Sequence, residues 1–321
     1  GRGLILGGLR AAGEEAATFF TGQGHAPASL STTEAAPAPG MSELEALDCP
    51  DWLAPDLRVD LGADFAPVMG ALRQRAPVFL RVNTARVTRE AAATALAREG
   101  IGTRPHHLAK TALEVIENPR KISLSSCYET GVVELQDAAS QAVIEALPLL
   151  AGQKVLDYCA GGGGKTLAMA ARARLELFAH DAEPRRMRDL PDRAARAGVA
   201  VRVLDTAQTR ARAPYDLVLA DVPCSGSGSW RRTPEAKWAL TEARLAELCM
   251  IQSAILDRLI PLVRPGGYLA YATCSMLARE NGDQIRAFLA INPGWQLQHQ
   301  MRLTPLDGGD GFFLAILKRN Q

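Results

Sequence analysis

Val155-Leu156-Asp157-Tyr158-Cys159-Ala160-Gly161-Gly162-Gly163-Gly164-Lys165-Thr166 decides how the rest of this chain is read. A short apolar run passes through a glycine turn into the start of a helix. Glycine lets the backbone turn sharply and approach a ligand without a Cβ in the way. Strand, glycine loop and helix make a nucleotide-site geometry, although a glycine loop alone is a weak signal.

Two such sites compete. A P-loop requires G-x-x-x-x-G-K-[ST]. Gly164-Lys165-Thr166 supplies its end, but Cys159 stands where its first glycine belongs. The apolar run ending at Asp221 would then imitate a Walker B strand. The alternative is a Rossmann-like S-adenosylmethionine site, which needs acids after successive strands for the ribose hydroxyls and the adenine amine. Asp181 follows the second strand and Asp205 the third. A lone Asp at a strand end is usually a cap, but two in register with a glycine loop favour the S-adenosylmethionine reading. Its binding residues would be Cys159, Ala160, Gly161, Gly162, Gly163, Gly164, Lys165, Asp181, Asp205 and Asp221.

Working outward, apolar runs and amphipathic stretches alternate from residue 154 onward. Strands are expected at 154–158, 177–179, 201–204, 217–220 and 268–272, with a closing strand at 312–317. Helices are expected from 165, after Pro184, over 241–263 (stopped by Pro265-Gly266-Gly267) and over 280–289. This pattern predicts an α/β fold, a Rossmann-like sheet with helices on both faces, spanning 133–321. A helix over 133–147 would lead into it. Before it, residues 48–132 read as a small α+β domain, with strands at 78–82 and 112–116 and a helix at 88–99. Residues 9–20 read as a helix, the last part of a helical domain covering 1–20. Residues 21–47, rich in Gly, Ala, Pro, Ser and Thr over 22–40, read as a flexible linker.

Two thiols end strands of that sheet. Cys224 lies in Asp221-Val222-Pro223-Cys224-Ser225-Gly226-Ser227-Gly228, and Cys274 in Tyr271-Ala272-Thr273-Cys274-Ser275. In an open α/β sheet the carboxyl ends of strands share one crevice, where ligands bind. Free cysteines are often plain core residues. These two stand among Pro, Ser and Gly, which is turn chemistry, and so suggest covalent catalysis.

Composition permits this without pointing to it. Hydrophobic residues make up 47% and charged residues 22%, as in ordinary globular proteins. No apolar run reaches the roughly 18–20 residues of a membrane span, and no signal peptide is visible. Six cysteines without a CxxC pair match neither a disulfide framework nor a metal site. A reducing cytoplasm suits reactive thiols. The net charge of +1 does not announce a nucleic-acid binder. Arginines 172, 174, 185, 186, 188, 193 and 196 form a local run that would ordinarily be a solvated face.

Cys159–Thr166, Asp221–Gly228 and Tyr271–Ser275 with Glu280-Asn281 resemble the RsmB-like (Sun/Fmu) family of RNA cytosine-5 methyltransferases. The resemblance continues through Arg81-Val82-Asn83-Thr84, Gln136-Asp137-Ala138-Ala139-Ser140-Gln141 and Asp310-Gly311-Phe312-Phe313, covering about residues 48–318. Members usually carry Ala-Ala-Pro-Gly-Gly-Lys where this chain has Ala160–Lys165, a change that loosens the loop but blocks nothing. The resemblance implies a Rossmann-like methyltransferase domain after a small RNA-contacting domain, with residues 1–20 as the tail of a NusB-like domain. It implies S-adenosylmethionine as cofactor and single-stranded or loop RNA as substrate, rRNA before tRNA, with no metal and no membrane, and a monomeric enzyme. It also assigns Cys274 as nucleophile and Cys224 to product release, a division that chemistry alone leaves open.

Cytosine C5 is too weak a nucleophile to take a sulfonium methyl directly. A thiolate adding to C6 makes C5 enamine-like, and splits one hard step into easier ones. Asp221 is placed to take up the charge at N3. Trp230, Arg231, Arg232, Lys237 and Trp238 mix aromatic and basic groups as a base-stacking surface would. Two other functions remain: a catalytically silent RNA-binding assembly factor, and a P-loop ATPase.

Overall fold

The computed structural model describes residues 2–36 and 42–321. The chain divides into two units, Gly1–Ala46 and Leu47–Gln321.

In the first unit a helix spans Arg2–Ala11 and a short 3-10 turn Ala16–Thr18. Leu6, Ala16 and Phe20 bury one another. The helix therefore lies earlier than residues 9–20, because the chain turns at Gly13 with φ +74°, a conformation glycine adopts at little cost. Part of the expected linker is also ordered: Ser31 caps the turn Thr32–Ala35 with a reciprocal bond to Glu34. Residues 37–41 of that linker lie outside the described residues.

The second unit begins with helices Ala54–Leu61 and Phe65–Leu72, then a small antiparallel sheet. Its strands are β1 (Val78–Val82), β2 (Thr103–Pro105), β3 (Ala112–Val115) and β4 (Val133–Leu135), in the order β2-β3-β1-β4. The helix Arg89–Arg98, capped by Thr88, buries Ala92 and Leu96 against Leu80, Val82 and Leu113. The single helix expected over 133–147 is wrong at its start. Val133 and Glu134 pair with Val82 and Arg81 as β4, and the helix Ala138–Glu145 begins only where the Asp137 carboxylate accepts from the Ala139 amide at 2.8 Å.

The main sheet contains β5 (Lys154–Asp157), β6 (Glu176–Ala179), β7 (Arg202–Val203), β8 (Tyr215–Asp221), β9 (Val263–Thr273), β10 (Trp295–Leu303) and β11 (Phe312–Arg319). Its order is β10-β11-β9-β8-β5-β6-β7. The strands from β9 to β7 run parallel, and β11 and β10 are antiparallel to their neighbours. Strand order reverses between β5 and β8, so the ligand crevice of such a fold opens at their carboxyl ends. The long helix spans Glu242–Leu259, ending before Pro265-Gly266-Gly267, which instead lies in the irregular first part of β9. No strand was expected at β10.

Buried polar groups join the small sheet to the main one. Arg81 donates to the Gly164 carbonyl at 2.6 Å and to the Gln136 side chain at 2.7 Å. Asn83 donates to the carbonyls of Gly131 and Ala197, and Glu134 accepts from Arg193 and Arg196. The arginine run is therefore only partly a solvated face. Among the described residues no helix is long and apolar enough to cross a membrane.

Candidate active site

Strands β8 and β9 pair in parallel with Asp221 opposite Ala272. Cys224 and Cys274 follow that pair directly, and their Sγ atoms stand 3.5 Å apart as free thiols. The Cys224 turn is held from both sides by backbone. The Gly228 amide donates to the Cys274 carbonyl at 2.9 Å, and the Gly311 amide donates to the Gly228 carbonyl at 2.8 Å. A Cβ on Gly228 would fall 2.3 Å from the Gly311 oxygen, so only glycine fits there.

The two sulfurs are electrostatically unlike. The hydrogen bond from Cys224 lowers the pKa of Cys274 against the effect of burial, and the Lys165 charge helps. The same contact, together with burial, pushes the Cys224 thiol well up. Of the two, Cys274 is therefore the thiol that gives up its proton more readily. Cys159 is a third thiol near the crevice, but burial and nearby carboxylates hold it protonated.

Lys165 Nζ sits 2.6 Å from Asp221 Oδ2 and 4.8 Å from the centre of the Phe312 ring. Burial would lower the lysine pKa, but Asp221 more than offsets it, and Lys165 stays charged. Its ammonium is thus committed to Asp221, beside the two thiols.

The glycine turn leads from β5 into the helix Gly164–Arg172. Gly163 has φ +78°, and a Cβ there would lie 2.2 Å from Leu190 Cδ1. The Gly161 amide donates to Asp181 at 2.9 Å, and the Glu183 amide donates to the other oxygen of that carboxylate. Asp205 is exposed and caps the helix Thr206–Ala211, accepting from the Gln208 amide at 2.8 Å. Its neighbour Thr206 lines the crevice instead.

A cavity of about 460 Å³ runs past Tyr158, Cys159, His180, Asp181, Thr206 and Pro223. A second, of about 510 Å³, is lined by Asp221, Cys224, Arg244 and Cys274. Pro223 and Arg186 border both. These residues fit S-adenosylmethionine: a side-chain-free turn, a buried acid at the end of β6, and a mostly apolar slot that shares Pro223 and Arg186 with the cavity holding the thiols. Below the turn lies Asp157, which accepts from Thr166 at 2.6 Å while its Oδ1 has no partner. Burial pushes this carboxyl up to about 7.

The supposed stacking surface is mostly structural. Trp230 and Lys237 are buried, with Lys237 paired to Asp48. Arg231 and Arg232 both grip Asp310, and Arg232 also bonds Asp137. Only Trp238 of the five has an exposed ring. Sequence reading did not single out Arg244 or His180. Arg244 carries no motif, while His180 could have been found from its place directly before Asp181 at the end of β6.

Comparison with known proteins agrees with this geometry. Residues 144–318 match the family model for 16S rRNA methyltransferase RsmB/F, and residues 49–123 match the RsmF/B-like ferredoxin-like domain. The chain is 35% identical over 282 residues to ribosomal RNA small subunit methyltransferase B of Citrobacter koseri, covering 84% of this chain and 66% of that protein. The protein of the same name from Yersinia pseudotuberculosis is 33% identical over 290 residues, with the same coverage of 84% and 66%. The chain thus spans just under two thirds of these relatives' length. The crystal structure of PH0851 superposes with a TM-score of 0.80 at 29% identity, covering 89% of this chain and 70% of that one. With a family model matched over more than half of its residues, the chain belongs to the 16S rRNA methyltransferase RsmB/F family.

Proposed function

We propose that this protein transfers a methyl group to C5 of a cytosine in RNA, through a covalent bond between Cys274 and C6 of the base. The observation that carries this reading is the thiol pair 3.5 Å apart with opposite proton preferences. When bound, S-adenosylmethionine would supply an electrophilic methyl group.

The chain's own residues divide the remaining work. The turn Cys159–Gly164 and Asp181 hold the cofactor, Asp181 taking the ribose hydroxyls, while Asp205, expected at the adenine amine, is engaged in capping the helix Thr206–Ala211. Cys274 adds to C6. Asp221, oriented by Lys165 at 2.6 Å, hydrogen-bonds N3 as charge develops in the ring. Solvent takes the C5 proton as the Cys274–C6 bond breaks and its electrons return to sulfur. Cys224, still protonated, assists that departure by hydrogen-bonding the leaving sulfur. Thiolate population can contribute about thirtyfold at most, or ~2 kcal/mol, because a free thiol is already a few per cent ionised. Positioning must supply the rest. A base reaches the crevice at least cost from a single strand or loop, and the relatives' names favour small-subunit rRNA as its source.

Transfer of labelled methyl from S-adenosylmethionine to RNA tests the activity. Cys274→Ala should abolish transfer and form no adduct, whereas Cys224→Ala should trap a protein–RNA adduct that survives denaturation. Trapping by Cys274→Ala instead would reverse the assignment. Absence of transfer to any RNA would leave the silent assembly factor. Bisulfite mapping of rRNA from a deletion strain then identifies the cytosine.

A further inference from the structure

Glu280 is fully buried and takes no part in the steps above. Its carboxylate accepts from the Ser225 amide at 2.8 Å and from Gln252 at 3.0 Å through one oxygen, and from the hydroxyls of Ser225 and Ser275 through the other. Those serines immediately follow Cys224 and Cys274. One carboxylate thus holds the residue after each thiol, and the two hydroxyls are themselves 3.3 Å apart. The Ser227 hydroxyl reaches Ser275 at 3.1 Å and accepts from the Met276 amide at 2.8 Å, closing the network across the two turns. Asn281 secures the second turn, accepting from Thr273 and donating to the Ser275 carbonyl at 2.8 Å.

Burying a carboxylate is strongly unfavourable unless it is hydrogen-bonded, and here each Glu280 oxygen accepts from two donors, which fixes its geometry. A fold that needed only a packed core here would place an apolar side chain. Gln252, which also donates to the Pro223 carbonyl, extends the same brace to the residue before Cys224.

We propose that Glu280 is the positioning residue that sets the distance and register between Cys274 and Cys224, coupling attack by one to release by the other. This rests on the covalent reading above, so its test includes a measurement that needs no RNA. Diamide, a two-electron oxidant, accepts two electrons and two protons as paired thiols close to a disulfide, and the closure rate acts as a ruler for Sγ–Sγ separation. In the full-length protein, Glu280→Gln should slow Cys224–Cys274 closure about tenfold, since Gln puts an N–H where a donor already points. It should lower kcat by ~10²-fold with little change in KM, as expected when reacting groups shift by about an ångström. The denaturation-resistant adduct should accumulate during turnover, because release loses its partner. S-adenosylhomocysteine affinity should be unchanged. If Glu280→Gln fails to fold, the Ser225→Ala/Ser275→Ala double variant removes both hydroxyl contacts and leaves the two N–H donors on the carboxylate; the same pattern is expected, more weakly. Wild-type closure rates in the folded variants overturn the proposal. Slow closure with no methyl transfer by the wild type would overturn the reaction assignment while leaving the brace intact.

Discussion

Around Cys224 and Cys274, side chains fix the backbone: Glu280, Asn281 and three serines bond across two turns. Around Gly161–Gly164, the backbone is fixed by the lack of side chains, and its few external ties are to Asp181, Arg81 and Arg193. The corner that carries the two thiols is braced by directional contacts that tolerate little displacement. The turn assigned to the cofactor is shaped by exclusion at Gly161 and Gly163, where a residue with a Cβ would have to take a positive φ and, at Gly163, would strike Leu190. The two ends of the crevice should therefore fail in different ways, one in kcat and the other in affinity.

The largest effect should come from the ion pair between them. Lys165→Met removes the cation that supports both Asp221 and the Cys274 thiolate, and should lower kcat by ~10²-fold. Because Lys165 lowers the Cys274 pKa, the pH profile of adduct formation should move to higher pH in this variant. An unmoved profile would show that Lys165 acts only through Asp221. Gly163→Ala should come next. It forces a left-handed conformation costing about 1–2 kcal/mol and drives a Cβ into Leu190. S-adenosylhomocysteine binding, followed by calorimetry, should weaken about tenfold, with methyl transfer at saturating cofactor nearly intact. A kcat defect of equal size would erase the distinction between the two ends.

The smallest effect tests the floor beneath the glycine turn. The Asp157 pKa rises from 3.8 to about 7 on folding, so the native state holds this proton more tightly than the unfolded chain. Stability from this group therefore falls as pH climbs from about 4 to 7 and is flat above that. Asp157→Asn should remove that fall, so that the melting temperatures of variant and wild type diverge by a few degrees toward neutral pH. Parallel melting curves across that range would mean that Asp157 is ionised in both states.

The sheet and its crevice were legible because parallel strands buried on both faces read as uninterrupted apolar runs, as at Leu217–Ala220, and because turn chemistry marks their ends. β4 was hidden because Val133-Glu134-Leu135 is too short to show alternation and runs on into a true helix. β10 was hidden by exposure: Trp295–Leu303 alternates weakly, with His299 and a register shift in the middle. Lysine and arginine near Cys224 looked like an RNA surface, since a sequence does not reveal that Asp48 and Asp310 return from distant positions to pair with them. Glu280 stood out only as part of a motif. Its meaning depends on Ser225, which tertiary packing alone brings to it.

The backbone contact between Gly228 and Gly311, with Asp310 gripping Arg231 and Arg232, bears on what β11 does for the thiol corner. The Cys224 turn and the residues that clasp it are far apart in sequence, the latter lying in the loop just before β11. Without that strand inserted beside β9, the turn keeps its ties to Cys274 and Glu280 but loses the Gly228–Gly311 contact that closes its other side. A chain lacking β11 should therefore carry both thiols with the first of them held from one side alone.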